Sequence, residues 1–282
     1  MAGGSSKKPV TVYAAMIANF LIAISKFIVA TITKSSAMLS EGIHSVADTG
    51  NQALLLLGIH LSRRPADDTH PFGYGKDLYF WSLIVAIILF GVGGGMSLYE
   101  GFHHIQDPVP LDDPTWNYVV LGLGVLFELF AFITAFRALT KVAGKEAMWQ
   151  AVRSSKDPTI FVVLFEDAAA LTGLLVAFLG VHFSHRLEMP ILDGVASLVI
   201  GVILMTVSIL IAFESRQLLL GEAADPMIVS SVKKIVSEDD DILDVFRPMT
   251  MHLGPNEVLL NMGLNFKKGL STSGITRAIV RL

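Results

Sequence analysis

Between two apolar runs the chain reads "MLSEGIHSVADTGNQAL", from Met38 to Leu54. His44 and Asp48 stand four residues apart, so on a helix they stack on one face. An imidazole nitrogen and a carboxylate at that spacing make a half-site for a divalent transition metal. A second polar pair, Glu166 and Asp167, interrupts the apolar run "VVLFEDAAALTG". Adjacent helical residues point about 100° apart, so the two cannot face one point equally. One is expected to be a direct ligand; the other would bind weakly, relay protons or support a neighbour.

The elements that must position these groups are hydrophobic. The 282 residues are 52% apolar and only 16% charged, and the mean hydropathy is +0.60. Soluble domains carry about 25% charged residues, so the composition is that of a membrane protein. A charge at the bilayer centre costs about 2.5–3.5 kcal/mol on insertion scales. Carboxylates placed there need a bound cation or protons to neutralise them. A lone His44 would read as readily as a helix–helix hydrogen-bond partner. The Asp one turn below it and the acidic pair in another run turn the reading toward a cation site. With no cysteine in the chain, disulfides, thiolate metal sites and thiol nucleophiles are excluded. A net charge of −4 without a long basic block indicates no nucleic-acid partner.

Apolar segments of about 20 residues match a bilayer core about 30 Å thick. Six occur, near Val10–Thr33, Met38–Leu61, Leu78–Phe102, Trp116–Leu139, Thr159–Phe183 and Ile191–Phe213. The first is too long for a signal-peptide core and reads as a retained span. The second and fifth are the less aliphatic, which predicts that they face protein or water. Lys7, Lys8, Arg63, Arg64, Lys76, Arg137, Lys141, Lys145, Arg153 and Lys156 all fall on one side. That bias places both termini in the cytoplasm. After residue 220 the character becomes soluble: a helix over Pro226–Ser237 capped by Asp225, strands near Ile242–Leu253 and Val258–Phe266 joined by "GPNE", then a final helix. The expected architecture is an α-helical membrane protein. Six transmembrane helices (residues 1–220) form the membrane domain, and a small cytoplasmic α+β domain (221–282) follows. That domain lacks a closing strand and so reads as an incomplete or truncated ferredoxin-like unit.

Other polar residues in the apolar runs are less specific. Asn51 and Gln52 read as helix–helix glue, and Lys26 as the partner of a carboxylate or a snorkelling chain. Glu128 could line a cavity, and Glu41, toward the outer end of its helix, could attract cations.

Six spans, "HSVAD" in the second, an acidic residue early in the fifth, "PADDTHPFGYGK" after the second and an α+β tail together resemble the cation diffusion facilitator family. The resemblance covers nearly the whole chain. "MLSEGIHSVADTGNQ" and "FEDAAALTG" are similar to the branch typified by zinc transporter nine. It implies a homodimeric antiporter that exports a divalent cation in exchange for protons. His44 and Asp48 match the family's ligands in the second helix, and Asp167 its aspartate in the fifth. Where the family has a histidine four residues before that aspartate, this chain has Val163, leaving Glu166 as the replacement ligand. An oxygen-rich set suits manganese, iron or cobalt as well as zinc. In the loop Asp67, Asp68 and His70 remain, but Tyr74 stands where a further histidine is common. A second metal at Asp68 and His70 is therefore a weak expectation beside a solvated turn. The tail keeps only His252 of the family's paired histidines, so it is expected to hold the dimer without those metals. Lys76 matches a lysine of the family's charge interlock, with Glu222 the nearest acidic candidate.

The expected function is alternating-access exchange. His44, Asp48, Asp167 and Glu166 take the ion from the cytoplasm, and protons from the other side displace it. His44 suits the exchange through its ordinary pKa of about 6.5, because metal and proton compete for the same lone pairs. The divalent metal is substrate, and no organic cofactor is expected. Two rivals share the residues. A non-transporting scaffold would bind metal without flux. An intramembrane metalloenzyme could use Glu41 as a base, although the chain has no "HExxH". A bacterial inner membrane is the default location, and the zinc-transporter-nine branch points to mitochondria.

Overall fold

A computed structural model describes residues 9–110, 113–143 and 156–282. Of the basic residues used for orientation, Lys7, Lys8, Lys145 and Arg153 lie outside the described residues. Each of the six apolar runs forms a helix. α1 (Pro9–Thr33) turns through Lys34, whose φ is 58°, into α2 (Ser36–Ser62). The third run is one continuous rod: α3 (Asp77–Ile88), a π-helical turn (Leu89–Gly95) and α4 (Met96–Gln106). α5 (Thr115–Ala143), α6 (Pro158–Arg186) and α7 (Ile191–Leu220) follow. Among the described residues four stretches are long and apolar enough to cross a membrane: Asp77–Gln106, Thr115–Arg137, Pro158–Arg186 and Ile191–Leu220. α1 adds a shorter apolar stretch, Asn19–Thr33. α2 has the length, at 27 residues, but carries the polar face described above.

α2 is the hub. It packs against α1, α3, α4, α6 and α7, whereas α5 packs against α1 and α6. Half of the apolar window of α6 is buried against 17% of that of α5, in line with the more polar composition of the fifth run. α5 instead turns Leu123, Leu126, Phe127 and Phe130 outward. The π turn and α4 lie close on α7 because glycines let the backbones approach. A Cβ on Gly101 would sit 2.7 Å from the Gly194 carbonyl oxygen, and one on Gly201 2.8 Å from the Leu98 side chain. Small residues at such crossings supply the packing that hydrophobicity cannot supply in lipid.

A side chain of α7 caps α2. Asp193 is fully buried in the first turn of α7. It accepts hydrogen bonds from Ser35 Oγ at 2.8 Å and from the backbone N–H groups of Ser36 and Ala37, the latter at 3.2 Å. These are donors that a helix N-terminus leaves unpaired, and the N-terminal partial charge favours a carboxylate. His104 at the end of α4 brings Nε2 to 4.0 Å from the same carboxylate. Ser36 and Ser40 of α2 both reach Ser197 Oγ, at 2.7 and 3.0 Å. Replacing Asp193 by Ala would strand these donors in an apolar setting, at about 1–3 kcal/mol for each unsatisfied group. The expected result is a clearly lowered unfolding temperature in detergent, with Asp193→Asn intermediate; an unshifted melt would contradict this role.

Beyond Gly221, which ends α7 at φ 107°, the tail begins with α8 (Pro226–Ser237). Asp225 caps it by accepting from Met227 N at 2.7 Å, as the sequence predicts. The two expected strands are four short ones: β1 (Ile242–Val245), β2 (Met249–Gly254), β3 (Glu257–Asn261) and β4 (Leu264–Phe266). β2 pairs antiparallel with β3 and β1 with β4. This is the expected hairpin, interrupted where Pro248 lacks an N–H and Gly263 faces Phe246. Phe246 N still donates to the Gly263 carbonyl at 3.0 Å, so the ladder resumes beyond the break. α9 (Thr272–Arg281) is tied back by Arg281, which donates to Asp239 at 2.8 and 2.6 Å and to Asp241 at 2.9 Å. That fork holds the Asp239 carboxyl below the usual range.

Candidate metal centre

The sequence places His44 and Asp48 one turn apart near the middle of α2, and the fold turns both inward. His44 is 1% exposed, and its Nδ1 lies 3.4 Å from Asp48 Oδ1. Glu166 and Asp167, in the first third of α6, are both buried as well. Asn51, one turn past Asp48, donates from Nδ2 to Glu166 Oε1 at 2.7 Å. It is therefore the glue expected of it, and it joins the two polar helices at their acidic pair. Asp48 in turn shares the lining of a small pocket with Glu128 of α5. Both nitrogens of His44, Asp48 Oδ1 and Asp167 Oδ2 are buried without hydrogen-bond partners. Lone pairs removed from water and left unmatched are costly unless something binds them. Among the described residues, no three His, Asp or Glu side chains converge as a closed metal cage. The four predicted residues lie on two helices, His44 and Asp48 on α2 and Glu166 and Asp167 on α6, joined by the Asn51–Glu166 bond.

Three polar residues, Glu41, Lys76 and Glu222, make contacts other than those expected. Glu41 is fully buried rather than poised at a helix end to collect cations, and its Oε2 accepts from Lys26 Nζ at 3.0 Å. Lys26 is thus the carboxylate partner that its position in an apolar helix calls for. Glu222 pairs with Lys156 at 2.7 Å, whereas Lys76 Nζ lies 3.8 Å from Met251 Sδ. The suggested Lys76–Glu222 contact is therefore replaced by a Lys156–Glu222 pair.

The loop after α2 is built as a turn. Asp67 accepts from the backbone N–H groups of Thr69 and His70 and from the hydroxyls of Thr69 and Tyr74. These bonds hold its carboxyl well below the ordinary range. Tyr74, standing where a histidine would have been a ligand, donates to Asp67 at 2.8 Å. His70 is half exposed, with Nδ1 at 3.8 Å from Asp67. In the tail, buried His252 lies with Nδ1 3.3 Å from the Gly254 carbonyl, a structural place in the hairpin.

Residues 12–220 match the Cation efflux transmembrane domain. The chain belongs to the cation efflux family. Such proteins are transporters and not enzymes, which removes the metalloenzyme reading. Metal tolerance protein C4 of Arabidopsis thaliana is 32% identical over 250 residues, covering 88% of this chain and 55% of that protein. The human mitochondrial proton-coupled zinc antiporter SLC30A9 is 30% identical over 257 residues, covering 90% and 45%. The manganese efflux system protein MneP of Bacillus subtilis is 24% identical over 274 residues, covering 90% and 84%. The resemblance to the zinc-transporter-nine branch is thereby established. The cation efflux chain spans about half the length of its plant and animal relatives.

Sequence reasoning missed the Asp193 cap and the identity of the Lys26 partner. A serine pair at the start of α2 and an acid in the first turn of another apolar helix were the available signals.

Proposed function

We propose that this cation efflux chain carries a divalent transition metal across a membrane in exchange for protons. Zinc is the leading substrate, and manganese, iron and cobalt are the alternatives. The observation that carries the reading is the set of buried polar atoms without hydrogen-bond partners on His44 and Asp48 of α2 and Asp167 of α6. With Glu166 they offer one nitrogen and a majority of oxygens, a set that accepts borderline divalent ions. Metal and proton compete for those lone pairs, so loading one unloads the other. Differential binding to inward- and outward-open states turns that competition into exchange. A zinc antiporter and a manganese efflux protein among the relatives support the substrate class.

The proposal includes six spans with both termini cytoplasmic, a ferredoxin-like tail and a homodimer. The remaining basic loops favour that orientation, and residues 1–220 form the transport unit. The membrane is a bacterial inner membrane by default; the animal relatives are mitochondrial. Asp68 and His70 remain at most a weak second position.

The test is metal uptake into proteoliposomes under an imposed pH gradient, comparing zinc, manganese, iron and cobalt. Gradient-dependent uptake of at least one ion, with reciprocal proton movement, is the expected result. Metal binding without uptake of any ion would replace transport with a scaffold role.

A further inference from the structure

The least expected feature of the membrane interior is a cation that belongs to the protein. Lys26 is 1% exposed, and its ammonium donates to Glu41 Oε2 at 3.0 Å and to Ser45 Oγ at 2.8 Å. Glu41 and Ser45 are one turn apart on α2, directly beside the stripe that holds His44 and Asp48. Ser45 also shares with Asp48 the lining of a pocket of about 10 Å³, together with Asn19, Ile22 and Glu128. That is room for about one water molecule. A single hydroxyl thus separates the Lys26 ammonium from the pocket that Asp48 and Glu128 face.

The ion pair is a dipole with a direction. Ser45 fixes its positive end beside the pocket that Asp48 and Glu128 line. The negative end is drawn away toward α6. A Cβ on Gly173 would lie 2.5 Å from Glu41 Oε1, so only glycine leaves room for the carboxylate there. The two ends of the pair thus meet different neighbours, the ammonium Ser45 beside Asp48 and the carboxylate the α6 backbone at Gly173.

Resting on the proposed function, we propose that Lys26 is a tethered counter-cation that weakens the hold of the Asp48 site on its divalent ion. His44, Asp48, Glu166 and Asp167, with Glu128 beside Asp48, would bind a doubly charged ion tightly enough to slow its release. A fixed positive charge beside them opposes the ion through a medium that screens poorly. Glu41 is the positioning residue: it fixes the ammonium and offsets part of its charge.

Two variants change the field in opposite directions. Glu41→Gln preserves an acceptor for Lys26 but removes the offsetting charge, so the ammonium acts on the site undiminished. Lys26→Met combined with Glu41→Gln removes the charge pair altogether. Zinc binding is measured by calorimetry on purified full chain in detergent, with uptake measured in parallel. Glu41→Gln is expected to raise the zinc Kd on the order of tenfold, and the double variant to lower it by a similar factor. The double variant should also take up zinc more slowly at saturation, because release becomes limiting. Damage to the fold would weaken binding in both. A shift in the same direction for both variants, or an unchanged Kd in Glu41→Gln, overturns the proposal, the latter even where the double variant does not fold. Asp48→Ala run alongside separates the two readings: if it keeps wild-type zinc binding, the metal centre itself is misplaced.

Discussion

Asp48→Ala protein, reconstituted into vesicles, is expected to show metal uptake at least about a hundredfold below wild type. Loss of groups that merely support a ligand costs about 10–100-fold in metal affinity or activity, and Asp48 is placed to touch the ion. The substitution should leave folding intact, because Asp48 Oδ1 has no hydrogen-bond partner to strand. Uptake and a melting curve on the same preparation check both halves. Full uptake by a well-folded Asp48→Ala protein would move the transport site away from α2.

The largest stability effect is expected at Lys26. Lys26→Met alone leaves Glu41 charged, fully buried and with its other oxygen already unpartnered. Breaking a buried pair on one side typically costs about 3–5 kcal/mol, whereas removing both charges is often nearly neutral. Lys26→Met should therefore lower the melting temperature sharply, and adding Glu41→Gln should restore most of the loss. The non-additivity is the signature of direct contact. Additive losses would mean that the 3.0 Å contact contributes little.

The helices and the polar positions within them were legible because a bilayer leaves few readings of a charged residue in an apolar run. His44, Asp48, Glu166 and Asp167 stand out for that reason, and the fold brings their two helices together through Asn51. Pairings between distant residues were not legible. Nothing in the spacing of Lys26 tells it to choose Glu41 over Asp48, since the choice depends on the rotation of α1 against α2. Asp193 reads in sequence as an ordinary acid in the first turn of its own helix. Only the fold reveals that it satisfies the start of another. The broken hairpin was readable in principle from Pro248, but its continuation past the break depends on Phe246 settling over Gly263. Lys76 shows the limit of transferring a contact by position: Glu222, the nearest acidic candidate, turns to Lys156 instead.

A rod held at one end behaves as a lever. α2 is clamped where it begins, by Asp193 and Ser197 of α7, and its other end opens into a loop. At 1.5 Å per residue, Asp48 lies about 18 Å from Ser36 and Ser62 about 39 Å. A tilt about the clamp therefore moves the Asp48 carboxylate roughly half as far as it moves the loop end.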